Sequence, residues 1–186
     1  MDINLLIKEK FGSKRGMLRF FYFQFLLKIG FYRQYKKIDF ASVKRLVFIC
    51  AGNICRSPLA EAVARKNGIN SFSFGLDTRG GDPADPRAID YAIRHQLDLN
   101  SHITHTLADY ISEVGDLLVV MEPKHIPMLP VACKKLPVTL AGLWLKEPVA
   151  YLHDPYNTDL KYFDRCENMV CMAANQLVKR LGFGVK

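Results

Sequence analysis

A short apolar run followed at once by a tight turn and a helix start is the feature that most constrains how this chain folds. Residues 45–49 are apolar and β-prone, as expected of a buried central strand. After the turn, Ser57 is a good helix N-cap, Pro58 suits the first helical position, and residues 59–66 have helical composition. In such a unit the N–H groups of the turn and of the first helical turn converge. The segment therefore predicts an anion-binding loop at the end of a strand.

The turn carries a cysteine and an arginine at its two ends. Cys50 opens it, and Arg56 lies six residues later. A helix dipole, converging N–H groups and a nearby guanidinium all favour a nucleophilic thiolate at Cys50. The planar fork of Arg56 can grip two phosphoryl oxygens, while Gly52 allows a tight turn and Asn53 tolerates positive φ. The alternative is a buried cysteine that happens to precede an arginine, and the strand and helix start around the turn disfavour it.

The sequence CAGNICRSP at 50–58 resembles the phosphate-binding loop of the low-molecular-weight protein tyrosine phosphatases. The likeness extends from about residue 46 to the C-terminus, and it includes a Ser-Ala-Gly-like and Pro-Ala-Asp-Pro segment at 73–88, where Phe74 replaces the usual alanine. The resemblance implies a phosphatase-I-like fold and hydrolysis of phosphotyrosine through a cysteinyl-phosphate intermediate, without a metal or other cofactor. It also implies the residues of the phosphate-binding loop, which are Ala51, Gly52, Asn53, Ile54, Cys55 and Arg56.

The substrate class is also implied by resemblance. Residues 94–97 and 120–126 look most like the bacterial branch of the family that is encoded with capsule and exopolysaccharide export systems. In that branch the substrates are autophosphorylating bacterial tyrosine kinases. We therefore expect a phosphotyrosine protein as the partner of this chain.

The sequence His-Asp-Pro-Tyr at 153–156 resembles the family's general-acid loop and makes Asp154 the proton donor. The reaction supports this independently, because a departing phenolate needs an acid and the attacking water then needs a base, and one carboxyl group can serve both steps. Taken alone, Asp-Pro indicates only a turn. Tyr156 has two open interpretations, a stacking wall for the substrate ring or a half-buried loop aromatic.

Two supporting residues follow from the same resemblance. Ser57 matches a residue that hydrogen-bonds the thiolate, and His102 matches a histidine that braces Asn53. An ordinary surface histidine is the alternative for His102, since His105 lies only three residues further on.

Composition and element order indicate an α/β fold. Beyond the first strand the sequence predicts a helix at 87–97, strands at 116–121 and 137–140, and a long amphipathic helix within 160–181. Alternating strands and helices predict a doubly wound parallel sheet flanked by helices, with the active loop at the carboxyl end of its first strand. A catalytic domain spanning 46–186, roughly 140 residues, is large enough to fold around its own core.

Cysteine usage points to a reducing compartment. The chain has five cysteines, an odd number, and two of them, Cys50 and Cys55, lie in the active loop. We therefore expect a cytoplasmic protein. Cys50 and Cys55 are close enough in sequence to form a disulfide under peroxide, and the alternative is that Cys55 is a small buried filler.

Residues 1–45 form a basic, aromatic-rich extension that the family usually lacks. They contain eleven Lys and Arg against three Asp and Glu, which equals the whole net charge of +8. Only eight uncharged residues separate Arg19 from Lys28, too few for a transmembrane span. A helix within 14–37 is predicted, and it has two interpretations. It either lies on the inner face of an anionic membrane, or it packs on the catalytic domain or on a partner. Nucleic-acid binding is the weakest of the interpretations, because a basic arm alone does not indicate it.

Two other functions remain as alternatives at this point. Thioredoxin-coupled arsenate reductases use a similar cysteine loop, but they need additional relay cysteines, and residues 121–130, where a relay is expected, contain none. The other alternative is a non-catalytic phosphotyrosine-binding module at the membrane. The joint presence of Cys50, Arg56 and Asp154 argues against that module.

Overall fold

The computed structural model describes residues 2–182, which form a parallel β-sheet packed against helices. Short 3₁₀ turns occupy several of the connections. The strands are β1 (Arg45–Cys50), β2 (Ser71–Gly75), β3 (Asp116–Val120) and β4 (Val138–Leu140), and the helices are α1 (Ile3–Phe11), α2 (Lys14–Lys28), α3 (Arg56–Lys66), α4 (Pro86–Arg94) and α5 (Leu160–Arg180).

The sheet has the strand order β2-β1-β3-β4, and every neighbouring pair is parallel. Leu46 of β1 pairs with Ser71 on one side and with Leu117 on the other. Every residue of β1 is buried, as its apolar composition predicts. The chain leaves β1 in one direction and later returns to its other side, which creates a crevice at the carboxyl end of β1. The predicted doubly wound α/β fold with added N-terminal helices is confirmed.

The start of α3 differs from the prediction. The helix begins at Arg56 and its N-cap is Cys55, which makes no side-chain capping bond, so Ser57 is not the cap. The Ser57 hydroxyl instead lies 3.0 Å from the Cys50 sulfur and 2.9 Å from the Asn53 side-chain nitrogen. Ser57 therefore bonds within the loop, and the N-cap of α3 lies two residues earlier than the local chemistry predicts.

The N-terminal extension folds against the rest of the chain. Helix α1 packs on α2 and α5, and the Lys161 amine is 2.6 Å from the Glu9 carboxylate. Further along, Tyr32 is buried, and the Phe40 ring centroid lies 5.1 Å from that of Trp144. Four side chains of α2 pack against the main hydrophobic core, namely Phe20, Phe23, Leu26 and Leu27. Packing on its own chain, one of the two interpretations of the extension, is thus observed.

The other side of α2 exposes a second apolar surface. Its members recur three or four residues apart, so they lie on one face of the helix. We call this surface the outer stripe, and it consists of Leu18, Phe21, Tyr22, Phe25 and Ile29, each between 57% and 67% exposed. Among residues 2–182, no helix is long and apolar enough to cross a membrane.

Glu167 of α5 is a buried carboxyl group without a partner. It has no solvent exposure, and neither carboxyl oxygen has a hydrogen-bond partner among the described residues. Burial raises the pKa of Glu167 to about 8. The folded protein therefore holds a neutral carboxylic acid here at neutral pH.

This burial predicts a specific pH dependence for Glu167→Gln. Unfolded glutamate releases its proton near pH ~4.3, whereas folded Glu167 keeps it until about pH 8, so the free energy of unfolding of the parent protein falls as pH rises through this window. Glutamine does not titrate, and we expect its advantage over the parent to grow by on the order of 3 kcal/mol between pH ~5 and ~8. Urea unfolding across this range measures the difference. Exposed Glu147→Gln is the control, and parallel curves for Glu167→Gln and the parent would contradict the prediction.

Candidate active site

A pocket of about 270 Å³ opens at the carboxyl end of β1. Residues 50–52 and 54–56 form its floor and wall, and Asp77, Asp154 and Tyr156 line the rest. The structure therefore brings the predicted loop and the predicted acid, which are about a hundred residues apart in sequence, into one cavity. Helix α3 begins directly after the loop, so its N-terminus is directed at this site.

Cys50 is the last residue of β1, and its sulfur is hydrogen-bonded at the base of the loop. The backbone N–H of Asn53 donates to the sulfur over 3.2 Å, and the Ser57 hydroxyl lies 3.0 Å from it. The side chain is buried apart from its edge toward the pocket. Both neighbours can donate a hydrogen bond to the sulfur.

Asn53 fixes the shape of the loop. It adopts φ = 56°, the left-handed conformation that asparagine tolerates. Its side-chain nitrogen donates to the hydroxyls of Ser57 and Ser73 over 2.9 and 2.8 Å, and its side-chain oxygen accepts from the His105 backbone N–H over 2.8 Å. Every polar atom of this buried side chain is therefore satisfied by a separate part of the fold.

His102 lies where the sequence predicted, beside Asn53. Its Nε2 is 2.8 Å from the Asn53 carbonyl oxygen. Because a carbonyl only accepts, Nε2 must carry the proton in this contact. Burial lowers the pKa of His102, so the neutral ring that donates this bond is the stable form at neutral pH. The geometry favours the bracing interpretation over that of an ordinary surface histidine.

The guanidinium of Arg56 is buried and held by two carboxylates. One terminal nitrogen donates to Glu122 over 2.9 Å and to the Leu152 carbonyl over 3.0 Å, and the other lies 2.8 Å from Asp154. Burial alone would lower the pKa of Arg56, but Asp154 and Glu122 raise it above its ordinary value. Arg56 is therefore a permanently charged group aimed at the pocket.

Glu122 is a site residue that the sequence interpretation missed. It is fully buried, and although burial by itself would raise the pKa of Glu122, Arg56 holds it below the ordinary value. Burial lowers the pKa of neighbouring His125 to about 4, so this ring is neutral beside the pair. A signal was present, because Glu122 lies two residues after the end of the buried strand β3, at the edge of the sheet where the loop lies.

Asp154 lies across the pocket mouth from the loop. One carboxylate oxygen pairs with Arg56, the other accepts from the Tyr156 backbone N–H over 3.2 Å, and about a third of the side chain is exposed. Tyr156 is 52% exposed at the rim, in a position to contact an aromatic ring that enters the pocket. Arg87 of α4, also missed from the sequence, donates to the Tyr156 carbonyl over 2.6 Å and pairs with Asp85.

Cys55 is a buried free thiol in this structure, as are Cys133 and Cys166. Burial raises the pKa of Cys55, which leaves it protonated at neutral pH. Its oxidation to a disulfide with Cys50 stays a prediction. Within residues 2–182, no group of three or more His, Cys, Asp or Glu side chains is arranged to hold a metal ion.

The arrangement combines a nucleophilic sulfur, a fixed cation and a partly exposed carboxyl group around one small cavity. A tetrahedral oxyanion on the loop would meet N–H donors and Arg56, while Asp154 lies on the side where a leaving group would emerge. This is a geometry suited to transfer of a phosphoryl group to and from sulfur.

Comparison with known proteins gives a consistent result. The family model for low molecular weight phosphotyrosine protein phosphatase matches residues 45–185. Etp from Escherichia coli strain K12, a low molecular weight protein-tyrosine-phosphatase, is 31% identical over 140 residues, which are 73% of this chain and 93% of Etp. Wzb from the same strain, also a low molecular weight protein-tyrosine-phosphatase, is 32% identical over 143 residues, 73% of this chain and 94% of Wzb.

A solved structure leads to the same group of proteins. The tyrosine phosphatase Wzb from Escherichia coli K30, crystallised in complex with sulphate, aligns with a TM-score of 0.63 and 29% identity over 75% of this chain and 99% of that protein. The matched region begins where β1 begins and leaves the N-terminal extension outside. The chain belongs to the low molecular weight phosphotyrosine protein phosphatase family.

Proposed function

We propose that this chain hydrolyses protein phosphotyrosine through a cysteinyl-phosphate intermediate. The observation that carries the proposal is the single pocket that contains Cys50, Arg56 and Asp154. In the first step the Cys50 thiolate attacks phosphorus, the bond from phosphorus to the tyrosine oxygen breaks, and protonated Asp154 gives its proton to that oxygen. In the second step water attacks phosphorus, Asp154 takes back a proton, the sulfur–phosphorus bond breaks, and inorganic phosphate leaves.

The loop residues have distinct roles in this proposal. Arg56 grips two equatorial oxygens while charge spreads over them, and the N–H groups of the loop bind the remaining charge. Ser57, 3.0 Å from the sulfur, stabilises the thiolate both before attack and when it leaves the phosphoenzyme. Asn53 and His102 act indirectly, because they hold the loop in the conformation that presents these donors.

The ion pair between Arg56 and Asp154 fits a resting state. An incoming phosphate carries two negative charges near neutral pH and competes with the Asp154 carboxylate for the guanidinium. Once Arg56 binds the phosphate, the Asp154 carboxyl group loses its ion pair and lies next to the substrate. Substrate binding thereby frees the group that serves as acid in the first step.

The proposed substrate is an autophosphorylating tyrosine kinase of a polysaccharide export system. The support is the resemblance of residues 94–97 and 120–126 to that bacterial branch, together with relatives that are named protein-tyrosine-phosphatases. Exposed Tyr156 at the rim offers a wall for an aromatic phosphoester. Arsenate reduction is disfavoured, since the thiols of Cys133 and Cys166 are buried and the relatives are phosphatases.

The chemistry predicts two different losses of activity. Cys50→Ser should abolish hydrolysis of aryl phosphates, because a serine hydroxyl lacks the accessible pKa of the thiol. Asp154→Ala should lower kcat by about 10²- to 10⁴-fold on phenyl phosphate and much less on dinitrophenyl phosphate, whose leaving group needs no proton. Steady-state kinetics without added metal measures both. Full activity in Cys50→Ser, or equal losses on the two substrates for Asp154→Ala, would contradict the assigned roles.

The substrate class has its own test. An autophosphorylated bacterial tyrosine kinase, incubated with the phosphatase, should lose its phosphotyrosine as detected by immunoblotting, and Cys50→Ser serves as the inactive control. Serine- and threonine-phosphorylated proteins provide the comparison. Equal rates on those proteins would contradict selectivity for phosphotyrosine.

The proposed place of action is the inner surface of an anionic membrane, bound through residues 14–37. The outer stripe of α2 supplies exposed aromatic and aliphatic side chains for the headgroup region. Lys14, Arg15 and Lys28 border this stripe, and each basic residue near an anionic surface contributes on the order of 1 kcal/mol. The buried face of α2 packs on the core, so the helix can present the stripe without unfolding.

Membrane binding predicts a defined effect of outer-stripe substitutions in the full chain. The double variant Phe21→Ser/Phe25→Ser should bind anionic phosphatidylserine-containing vesicles at least about tenfold more weakly, because it removes two large apolar groups from the contact. Co-sedimentation measures binding, and added salt should weaken that of the parent. The control, Ile111→Ser/Val114→Ser, removes two apolar residues elsewhere that are even more exposed than Phe21 and Phe25. Equal binding by both double variants would contradict this surface, and aryl phosphatase activity would verify that each variant is folded.

A further inference from the structure

We propose that the N-terminal extension positions the general acid, by holding His153 and Tyr151 next to Asp154. The inference rests on the proposed role of Asp154 and adds positioning residues outside the region that the family model matches. The observation that supports it is a cluster of contacts between α2, the turn before it and the segment 151–154.

The His153 ring is enclosed by the extension and by its own neighbours. Its Nδ1 lies 2.6 Å from the Tyr151 hydroxyl, and its Nε2 lies 3.5 Å from the hydroxyl of Ser13, the N-cap of α2. Its centroid is 5.9 Å from the ring of Tyr162 on α5. The residue immediately before Asp154 therefore has its side chain clamped between the start of α2 and the core.

Two glycines of the extension allow this close approach. A Cβ atom at Gly12 would lie 2.8 Å from the His153 ring, and Gly12 also has φ = 76°, which favours glycine by itself. A Cβ atom at Gly16, in the first turn of α2, would lie 2.2 Å from the Phe11 carbonyl oxygen and 2.9 Å from the His153 ring. Glycine at both positions therefore lets the start of α2 approach His153, and at Gly16 it also avoids a clash with the Phe11 backbone.

Tyr151 provides a second attachment. The Tyr151 side chain is buried, and its ring centroid is 5.2 Å from that of Phe23, on the face of α2 that packs on the core. Tyr151 and His153 thus both contact the extension, while the backbone of Leu152 between them bonds elsewhere: its N–H donates to the Met121 carbonyl over 3.2 Å and its carbonyl accepts from Arg56.

The segment 151–154 is consequently fixed from two sides. Arg56 and the end of β3 hold Leu152 and Asp154, and the extension holds Tyr151 and His153. When phosphate takes Arg56 away from Asp154, the first set of contacts weakens and the extension remains. The extension then determines where the carboxyl group lies at the moment of proton transfer. The residues of the extension that make these contacts lie before residue 45, where the match to the family model begins.

The experiment compares variants of the full chain that differ in contact with this segment. Phe23→Ala removes the contact with Tyr151, and Gly16→Ala places a methyl group against both the Phe11 carbonyl oxygen and the His153 ring, which pushes the start of α2 away from His153. The matched control is Phe31→Ala, which removes a phenylalanine of the same extension that is 61% exposed. We expect Phe23→Ala and Gly16→Ala to lower kcat on phenyl phosphate by about 10- to 100-fold with little change on dinitrophenyl phosphate, as misplacement of an acid predicts.

A double-mutant cycle separates positioning from general destabilisation. In an Asp154→Ala background, Phe23→Ala and Gly16→Ala should have no further effect on phenyl phosphate, because the group they position is gone. Equal losses on both substrates, or losses that add to that of Asp154→Ala, would overturn the inference. Unchanged kinetics in both variants would overturn it as well.

A measurement that does not depend on activity distinguishes this inference from the proposed function. Hydrogen–deuterium exchange should become faster in the peptide containing 151–156 for Phe23→Ala and Gly16→Ala, and should stay unchanged in the loop 50–56 and in the Phe31→Ala control. Inactivity of the parent protein would contradict the proposed function, whereas unchanged exchange at 151–156 would contradict the positioning role.

Discussion

The burial of one guanidinium, that of Arg56, is the interaction on which the rest of the site depends. Removing this charge from water is expensive, and the fold offsets the cost with the Glu122 carboxylate, the Leu152 carbonyl and the Asp154 carboxylate. These three partners come from two distant parts of the chain. The position of Arg56 therefore requires that the end of β3 and the segment 151–154 both meet the start of α3.

The same requirement shapes the function. Glu122 is inside the fold and keeps Arg56 oriented throughout, whereas Asp154 is partly exposed and can be replaced by a phosphate. A single cation thus has a permanent partner and an exchangeable one. In the proposed mechanism, this division lets one arginine support the structure of the site and bind the phosphate of the substrate, and the displaced Asp154 is then free to transfer a proton.

The N-terminal extension contacts the segment that contains Asp154 from outside the matched domain. Its helix α2 is apolar on two faces, one packed on the core near Tyr151 and the other exposed as the outer stripe. A helix of this kind joins the surface proposed to contact a membrane to the segment that carries the acid. The opposing faces explain why neither of the two interpretations of the sequence, packing or membrane contact, excludes the other.

The sequence by itself determined the parts of this protein that depend on neighbouring residues. The strands β1, β3 and β4, the cysteine loop, and the residue types at Cys50, Arg56 and Asp154 could be predicted, because each follows from local composition, local turn chemistry or a short motif. Strand β2 was not predicted. The prediction that Ser57 is the N-cap of α3 was wrong. Its hydroxyl interacts with the thiol of Cys50, seven residues earlier, instead of capping the helix.

Only the tertiary structure decided the long-range partners. Arg56 and Glu122 are 66 residues apart, and Ser13 and His153 are 140 apart, so no pattern within a turn or a strand could pair them. The direction in which the extension packs was equally undetermined, because α2 is apolar on both sides and either side satisfies the hydrophobic effect. These contacts arise from the way the sheet brings its carboxyl edge, the loop after it and α5 together, and hydrogen bonds at that edge depend on distances in space rather than on spacing along the chain.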